Sequence, residues 1–338
     1  MAATSIRDVA QRAGVSVGTV SNVLNKPDSV AESTVKRVQS AIDELGYVRN
    51  DAARRLRSRV SSTVGFVVLD GQNPYFSAVV RGAEEEAFKA GVAILVGNTD
   101  DEPAREGMYL DLFEEQGVRG VLIAPYGDIS DRVRRLKSRD IPVVLVDRAV
   151  VDGLASSVSV DNLAGGRMAV EHLIQTGRRR IAFVGGPLDI RQVRDRFEGA
   201  RVAVEHADAD VDLELVTTSA LTLDEGTAAG RRILERPRAQ RPDAVFAAND
   251  LVALGVLRAL VVDHELLVPR EIAIIGFDDI PFASAAAVPL SSLRQPSRII
   301  GQTAFRILLE ESDDRDLIPR QTVFQPELVV RESTRPVG

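Results

Sequence analysis

Four side chains able to hold a small polar molecule stand at comparable places in this 338-residue chain. Asp147 closes the apolar run 143–146, Asn249 follows 244–248, Asp278 follows 272–277, and Arg196 lies early in a helical stretch after 181–186. A carboxylate accepts hydrogen bonds, a guanidinium donates them in a rigid fork, and an amide does both. Asp278 with Arg196 therefore suits vicinal hydroxyls. Arg194, Asp250 and Asp279 share the same strand and helix ends. Any one of these residues alone could be an ordinary cap or a solvated loop; binding chemistry follows only if the runs are neighbouring strands that bring them together. Covalent and metal chemistry find little support. There is no Cys, and the three histidines, His172, His206 and His264, are scattered. The sequence contains no P-loop, no glycine-rich dinucleotide fingerprint and no Gly-x-Ser-x-Gly elbow. Neither an enzyme nor a cofactor is expected.

A second set of polar residues lies near the N-terminus, at Ser16, Thr19, Ser21, Asn22 and Asn25, interleaved with small Val17 and Gly18. Ile6, Val9, Ala10 and Ala13 fall on one face of a first helix, which Gly14 breaks. Ser16 stands where an N-cap belongs, and Val20, Val23 and Leu24 form the inner side of a second helix over 17–25. Two helices around a tight glycine turn make a helix-turn-helix, whose second helix enters the major groove of double-stranded DNA. The outward hydroxyls of Ser16, Thr19 and Ser21, with Asn25, suit phosphate, and Asn22 can make the bidentate amide contact to adenine. A generic helical hairpin is the competing reading. Val35, Val38, Ile42 and Leu45 mark a third helix over about 32–45, closed by Gly46, with Ser29 and Glu32 at capping-box spacing.

The rest of the chain positions the first set. From Thr63 onward, apolar runs alternate with helical patterns: 64–69, 92–96, 121–124 and 143–146, then, after 158–160, 181–184, 213–216, 244–247 and 272–275. Continuous apolar runs between helices describe buried parallel strands. Two doubly wound α/β sheets follow, with ligands at the carboxyl ends of the strands. A final strand-helix-strand, near Leu293, over 297–310 and over 323–330, is expected to cross back between the lobes.

Asp8-Val-Ala10, Ala13-Gly-Val-Ser16, Thr19-Val-Ser21 and Val23-Leu-Asn25 together resemble the N-terminal signature of the lactose-repressor/purine-repressor family of bacterial regulators. The similarity extends through the core, at Arg196-Phe-Glu-Gly199, Asn249-Asp250…Ala253-Leu-Gly255 and Gly276-Phe-Asp-Asp279. It implies an all-α headpiece over 1–47, a hinge over 48–60, and a two-lobed core over 61–338 like that of periplasmic binding proteins. The first lobe would comprise about 61–160 plus 292–320, the second about 161–291 plus 321–335. The resemblance implies that Thr4, Ser5, Ser16, Val17, Gly18, Thr19, Ser21, Asn22 and Asn25 face operator DNA. It implies a hinge helix containing Asn50, Ala53 and Leu56, with Leu56 entering the minor groove. By the same resemblance Arg196, Asn249, Asp278 and Asp147 are effector ligands, and Tyr75 and Phe76 are the aromatics that touch the effector.

The implied function is a dimeric repressor on a pseudo-palindromic operator, released by a small molecule. The polar set favours a carbohydrate; a purine or phosphorylated co-repressor is the alternative, and a transport-type solute-binding protein a remote one. No leucine heptad follows the core, so a dimer is expected rather than a tetramer. Residues 1–60 hold ten Lys/Arg against six Asp/Glu, net +4, and the remainder 32 against 43, net −11. Attraction to phosphate is thereby confined to one end. No run approaches the length of a membrane helix and the N-terminus lacks an apolar signal core, so a cytoplasmic protein with no membrane partner is expected.

Overall fold

The computed structural model describes residues 4–47, 61–148 and 153–335. They divide into two compact units, one ending at Ser61 and one beginning at Ser62. The hinge segment 48–60, with Asn50, Ala53 and Leu56, lies outside the described residues.

The first unit contains α1 (Ile6–Ala13), α2 (Val17–Asn25) and α3 (Glu32–Leu45). Its core is Val9, Ala10, Ala13, Val20, Val23, Val38 and Ala41, all buried. Gly14 and Gly46 end α1 and α3 at φ 63° and 57°, where a side chain would be strained. The capping box expected at Ser29 does not form. Ser29 Oγ donates to Lys26 O at 2.6 Å, and α3 starts at Ala31 with no side-chain cap. A short 3-10 turn at Pro27–Ser29 draws the serine back toward the preceding loop.

The second unit holds two six-stranded sheets. The first contains β1 (Thr63–Val68), β2 (Ala93–Asn98), β3 (Val121–Ile123), β4 (Val143–Val146), β5 (Ser156–Val160) and β11 (Gln321–Phe324), in the order β11-β5-β4-β3-β1-β2. The second contains β6 (Arg180–Val184), β7 (Asp212–Val216), β8 (Ala244–Ala247), β9 (Ala273–Asp278), β10 (Ser291–Arg294) and β12 (Glu327–Val329), in the order β12-β10-β9-β8-β6-β7. The pairing is parallel throughout except between β10 and β12. Helices α4 (Pro74–Lys89), α5 (Pro103–Gln116), α6 (Ser130–Lys137), α7 (Asn162–Gln175), α8 (Arg191–Glu205), α9 (Leu223–Leu234), α10 (Asp250–Leu257), α11 (Pro281–Ser284) and α12 (Ser297–Asp313) complete the lobes. Four apolar clusters fill the spaces between sheets and helices.

The returning segments differ from the expected lobe boundaries. β10 pairs with β9 and so belongs to the second lobe, whereas the expected boundary places all of 292–320 in the first. α12 packs in the first lobe through Ile300, Ala304, Phe305 and Leu308. The single strand expected at 323–330 is two: β11 pairs with β5 in the first lobe, and β12 with β10 in the second. Pro326 lies between them, and a residue without an N–H cannot continue a ladder. The chain thus passes between lobes three times, near 161, 295 and 325.

Three helix pairs approach at glycines. A Cβ on Gly199 of α8 would overlap the Leu163 carbonyl oxygen of α7, and one on Gly166 of α7 would overlap the Arg196 carbonyl oxygen of α8. Gly226 and Gly255 do the same for α9 and α10, as Gly82 and Gly301 do for α4 and α12.

Candidate DNA-binding face and ligand cleft

In the headpiece, Ser5 caps α1 and Ser16 caps α2. Ser5 N donates to Asp8 Oδ2 at 2.8 Å, and Thr19 N donates to Ser16 Oγ at 3.0 Å. Thr4 Oγ1 donates to Leu45 O at 3.1 Å, tying the chain start to the end of α3. The Ser5 hydroxyl accepts from Asp8 N at 3.4 Å, so all three hydroxyls, of Thr4, Ser5 and Ser16, also hold helix ends. Gly18 and Asn22 are exposed on α2, while Val17, Thr19 and Ser21 are half-buried. Val17 leans on the headpiece core. Asn25 is described by its backbone alone. A Cβ at Gly18 would meet nothing nearer than Ser16 Oγ at 3.6 Å. Headpiece packing thus leaves room for a side chain there, and the small residue keeps the outer face of α2 low.

A cavity of about 360 Å³ lies between the two lobes of the second unit. Tyr75, Phe76, Asp147, Arg196, Asn249 and Asp278 all line it, so the fold brings together the six residues that the family resemblance implied as effector contacts. Tyr75 and Phe76 open α4, whose N-cap is Asn73, and their rings meet edge to face at 5.1 Å. Tyr75 OH donates to Asp147 Oδ1 at 3.0 Å.

Arg196 is 4% exposed and held on three sides. Its Nε donates to Asn162 Oδ1 at 2.8 Å and its Nη1 to Ala248 O at 2.6 Å, and its guanidinium lies 3.7 Å from the centre of the Phe277 ring. Nη2 stands 3.9 Å from Asp278 Oδ1, a close charge pair rather than a hydrogen bond. Asp278 accepts from Gln295 Nε2 at 2.7 Å and from Asn73 Nδ2 at 3.5 Å. Asn249 is partly occupied: its Oδ1 accepts from Val252 N at 2.9 Å as the cap of α10, and its Nδ2 donates to Leu221 O at 3.2 Å.

The other strand-end residues do not line the cavity. Asp250 is fully buried and structural, accepting from Ile280 N at 2.8 Å and Ser292 Oγ at 2.7 Å. Asp279 turns away to two arginines, and Arg194 is exposed.

Asp70, Asp100, Asp101 and Gln192 line the cavity but were not singled out from the sequence. Asp100 and Asp101 follow β2, so the strand-end rule that found Asp147 also applies to them. Gln192 precedes Arg196 by one helical turn and so shares its face. It donates to Asp147 O at 2.8 Å and Oδ2 at 3.1 Å, joining one lobe to the other. No motif marks Gln295, which reaches Asp278 only because the chain crosses between lobes at that point.

Both Asp147 (φ 59°) and Asp278 (φ 111°) hold positive φ. For a residue with a Cβ this costs on the order of 1–3 kcal/mol, and such strain concentrates at ligand sites.

The family models match in two pieces: "Bacterial regulatory proteins, lacI family" over residues 5–50 and "Periplasmic binding protein-like domain" over 170–334. The ribose operon repressor of Escherichia coli (strain K12) is 34% identical over 331 residues, covering 97% of this chain and 99% of that one. The chain belongs to the lacI family of bacterial regulatory proteins. The HTH-type transcriptional repressor PurR of Vibrio atlanticus (strain LGP32) is 33% identical over 333 residues, 98% of each chain. Among solved structures, a complex of the transcriptional regulator CelR with cellobiose is 32% identical with a TM-score of 0.72, covering 98% of this chain and 99% of that one. The lac repressor dimer bound to operator and the anti-inducer ONPF is 26% identical with a TM-score of 0.82 at the same coverage. This lacI-family member is thus a DNA-binding transcription regulator and not an enzyme. Among its described residues, no helix is long and apolar enough to cross a membrane.

The cleft carboxylates give this regulator a pH signature. Burial first, and Asp147 next to it, push Asp278 up to about 6, against the pull of Arg196 and Gln295. Burial, with Asp70 and Asp100 beside it, likewise pushes Asp101 up to about 6. Both folded values exceed the ordinary 3.8, so between 3.8 and about 6 the folded chain binds protons that the unfolded chain does not. Their contribution to stability is therefore greatest at low pH and is lost as pH rises through about 6. Ligand affinity should run the other way, because a protonated Asp278 is a weaker acceptor. From about pH 7 to about pH 5, affinity is expected to fall by up to about tenfold per unit once below the pKa, while these two groups favour the free fold. Calorimetric titrations across that range check it; affinity independent of pH would remove Asp278 from ligand contact.

Proposed function

We propose that this regulator is a dimeric repressor that binds a pseudo-palindromic operator and is released by a neutral sugar. The observation that carries the effector class is the charge of the cleft. Five carboxylates line it, Asp70, Asp100, Asp101, Asp147 and Asp278, against one arginine, Arg196. A phosphorylated effector would meet this wall at a high electrostatic cost, whereas sugar hydroxyls donate to carboxylates directly. Asp147, Arg196, Asn249 and Asp278 would hold those hydroxyls, and Tyr75 and Phe76 would cover an apolar face of the ring. Val17, Gly18 and Asn22 would meet base edges, with Ser16, Thr19, Ser21 and Asn25 at the phosphates and Thr4 and Ser5 also facing the operator. Asn50, Ala53 and Leu56 are proposed as hinge contacts on the strength of the family alone.

A dimer is supported by β2. It is an edge strand with Leu95 and Val96 exposed at 43% and 48%, and an apolar unpaired edge invites a second chain. The protein would act in the cytoplasm. The effector, bound between the lobes, would shift the arrangement that the headpieces need, because a ligand favours whichever state it binds better.

Selection of bound duplexes from a random-sequence pool, followed by release assays with a panel of neutral sugars that includes D-ribose, D-xylulose and cellobiose and a panel of purines, tests this reading. The expected result is a two-fold-symmetric site vacated on addition of one neutral sugar. Failure to enrich a symmetric site would overturn the repressor assignment. Tighter binding with a purine would move the cleft to the co-repressor reading that Tyr75 and Phe76 also suit.

A further inference from the structure

We infer that Arg331 and Arg294, neither of which lines the cleft, are positioning residues that fix the angle at which Asp278 presents its carboxylate. This rests on the reading of Asp278 as an effector ligand. Asp278 and Asp279 are consecutive non-glycine residues at φ 111° and 53°. Two such conformations persist only where the surroundings over-determine them. Asp278 faces the cavity; Asp279 points away from it, and its side chain is 6% exposed.

What holds the turn is visible. Arg294 of β10 donates from Nε to Asp279 Oδ2 at 2.7 Å. Arg331, just beyond β12, places Nη1 2.6 Å from Asp279 Oδ1. The same Nη1 donates to Leu290 O at 2.7 Å, and Arg331 N donates to Ser291 Oγ at 2.8 Å, so the arginine is itself anchored. On the backbone side, Asp279 N donates to Ser292 Oγ at 3.0 Å and Ile280 N to Asp250 Oδ2 at 2.8 Å. The C-terminal segment is thereby wired to the cleft through one side chain. Without Arg331, the buried Asp279 carboxylate keeps only Arg294, which is 46% exposed and shared with Glu327. The turn can then relax from positive φ, and Asp278 rotates with it.

The test uses the full chain and the variants Arg331→Met, Arg331→Lys and, as a milder lesion, Arg294→Gln. Hydrogen exchange of the unliganded proteins is read at residues 278–280. Arg331→Met is expected to speed exchange there by about tenfold, the size of a coupling within one hydrogen-bonded network, with the headpiece and β8 unchanged and Arg331→Lys in between. Titrations with D-ribose, D-xylulose and cellobiose follow. Whichever sugar binds the wild type should bind Arg331→Met about tenfold more weakly, while operator affinity holds. Equal sugar affinity, or unchanged exchange at 278–280, overturns the inference. If no sugar binds the wild type, the sugar reading fails and the exchange data alone decide the clamp. If Arg331→Met does not fold, Arg294→Gln carries the same two readouts.

Discussion

Arg196→Met is expected to abolish the response to the effector while operator affinity stays within about twofold, since headpiece and cleft belong to separate compact units. The guanidinium donates to Asn162 and Ala248, stacks on Phe277 and faces Asp278. Methionine fills the apolar path but supplies no donor and no charge. Truncating one member of a buried charged pair costs about 2–5 kcal/mol, much of it from the group left behind. Asp147 and Asp278 are both already raised by burial, and Arg196 is the neighbour that pulls each back. Losing it should drive both toward the neutral form near about pH 7. Effector affinity should therefore drop by at least about a hundredfold, equivalent to about 2.7 kcal/mol. Calorimetric titration of the variant, with operator release followed alongside, gives the answer. A variant that still releases its operator at wild-type effector concentrations would remove Arg196 from the site.

The second large effect concerns the fold that carries that arginine. Gly199→Ala should destabilise the two-lobed unit by about 3 kcal/mol, at the upper end of overpacking costs. The new Cβ would overlap the Leu163 carbonyl oxygen and lie 2.8 Å from the Arg167 amide nitrogen. Both are backbone atoms, which cannot rotate away as a side-chain tip can. α8 must then move off α7, and Arg196 is anchored to Asn162 at the start of α7. Effector affinity should fall together with stability, a coupling that an ordinary surface change would not show. At about 2–4 °C per kcal/mol, the midpoint of thermal unfolding should drop by at least about 6 °C. A midpoint unchanged within error would mean that the helices part freely at Gly199, contrary to the packing described.

The sequence by itself determined the headpiece. Gly14, Ser16 and Gly46 cap and stop helices by local hydrogen bonding and local backbone conformation, so their meaning is readable within a few residues. Ser29 was misread for the same reason in reverse: its capping-box spacing was present, but the Pro27–Ser29 turn claimed its hydroxyl. The alternation of buried strands and helices was legible too, because parallel strands covered on both faces read as continuous apolar runs. The strand-end rule then named Asp147, Asn249 and Asp278, since the carboxyl ends of neighbouring strands must open on one crevice.

Only the tertiary structure decided which polar residues face that crevice and which hold it in shape. Asp278 and Asp279 are adjacent and chemically identical, yet one lines the cavity and the other meets Arg294 and Arg331. Asn249 and Asp250 divide in the same way. At 278–279 the choice depends on positive backbone φ, and for both pairs it depends on partners 13 to 52 residues away, where no local pattern reaches. The glycines of Arg196-Phe-Glu-Gly199 and Ala253-Leu-Gly255 were visible as motif letters, but their reason is a helix crossing close enough to exclude a Cβ. The lobe boundaries likewise turned on long-range pairing: β10 and β12 join the second sheet while β11, between them in sequence, joins the first. An apolar run reports that a strand is buried; which sheet buries it is settled by partners far along the chain.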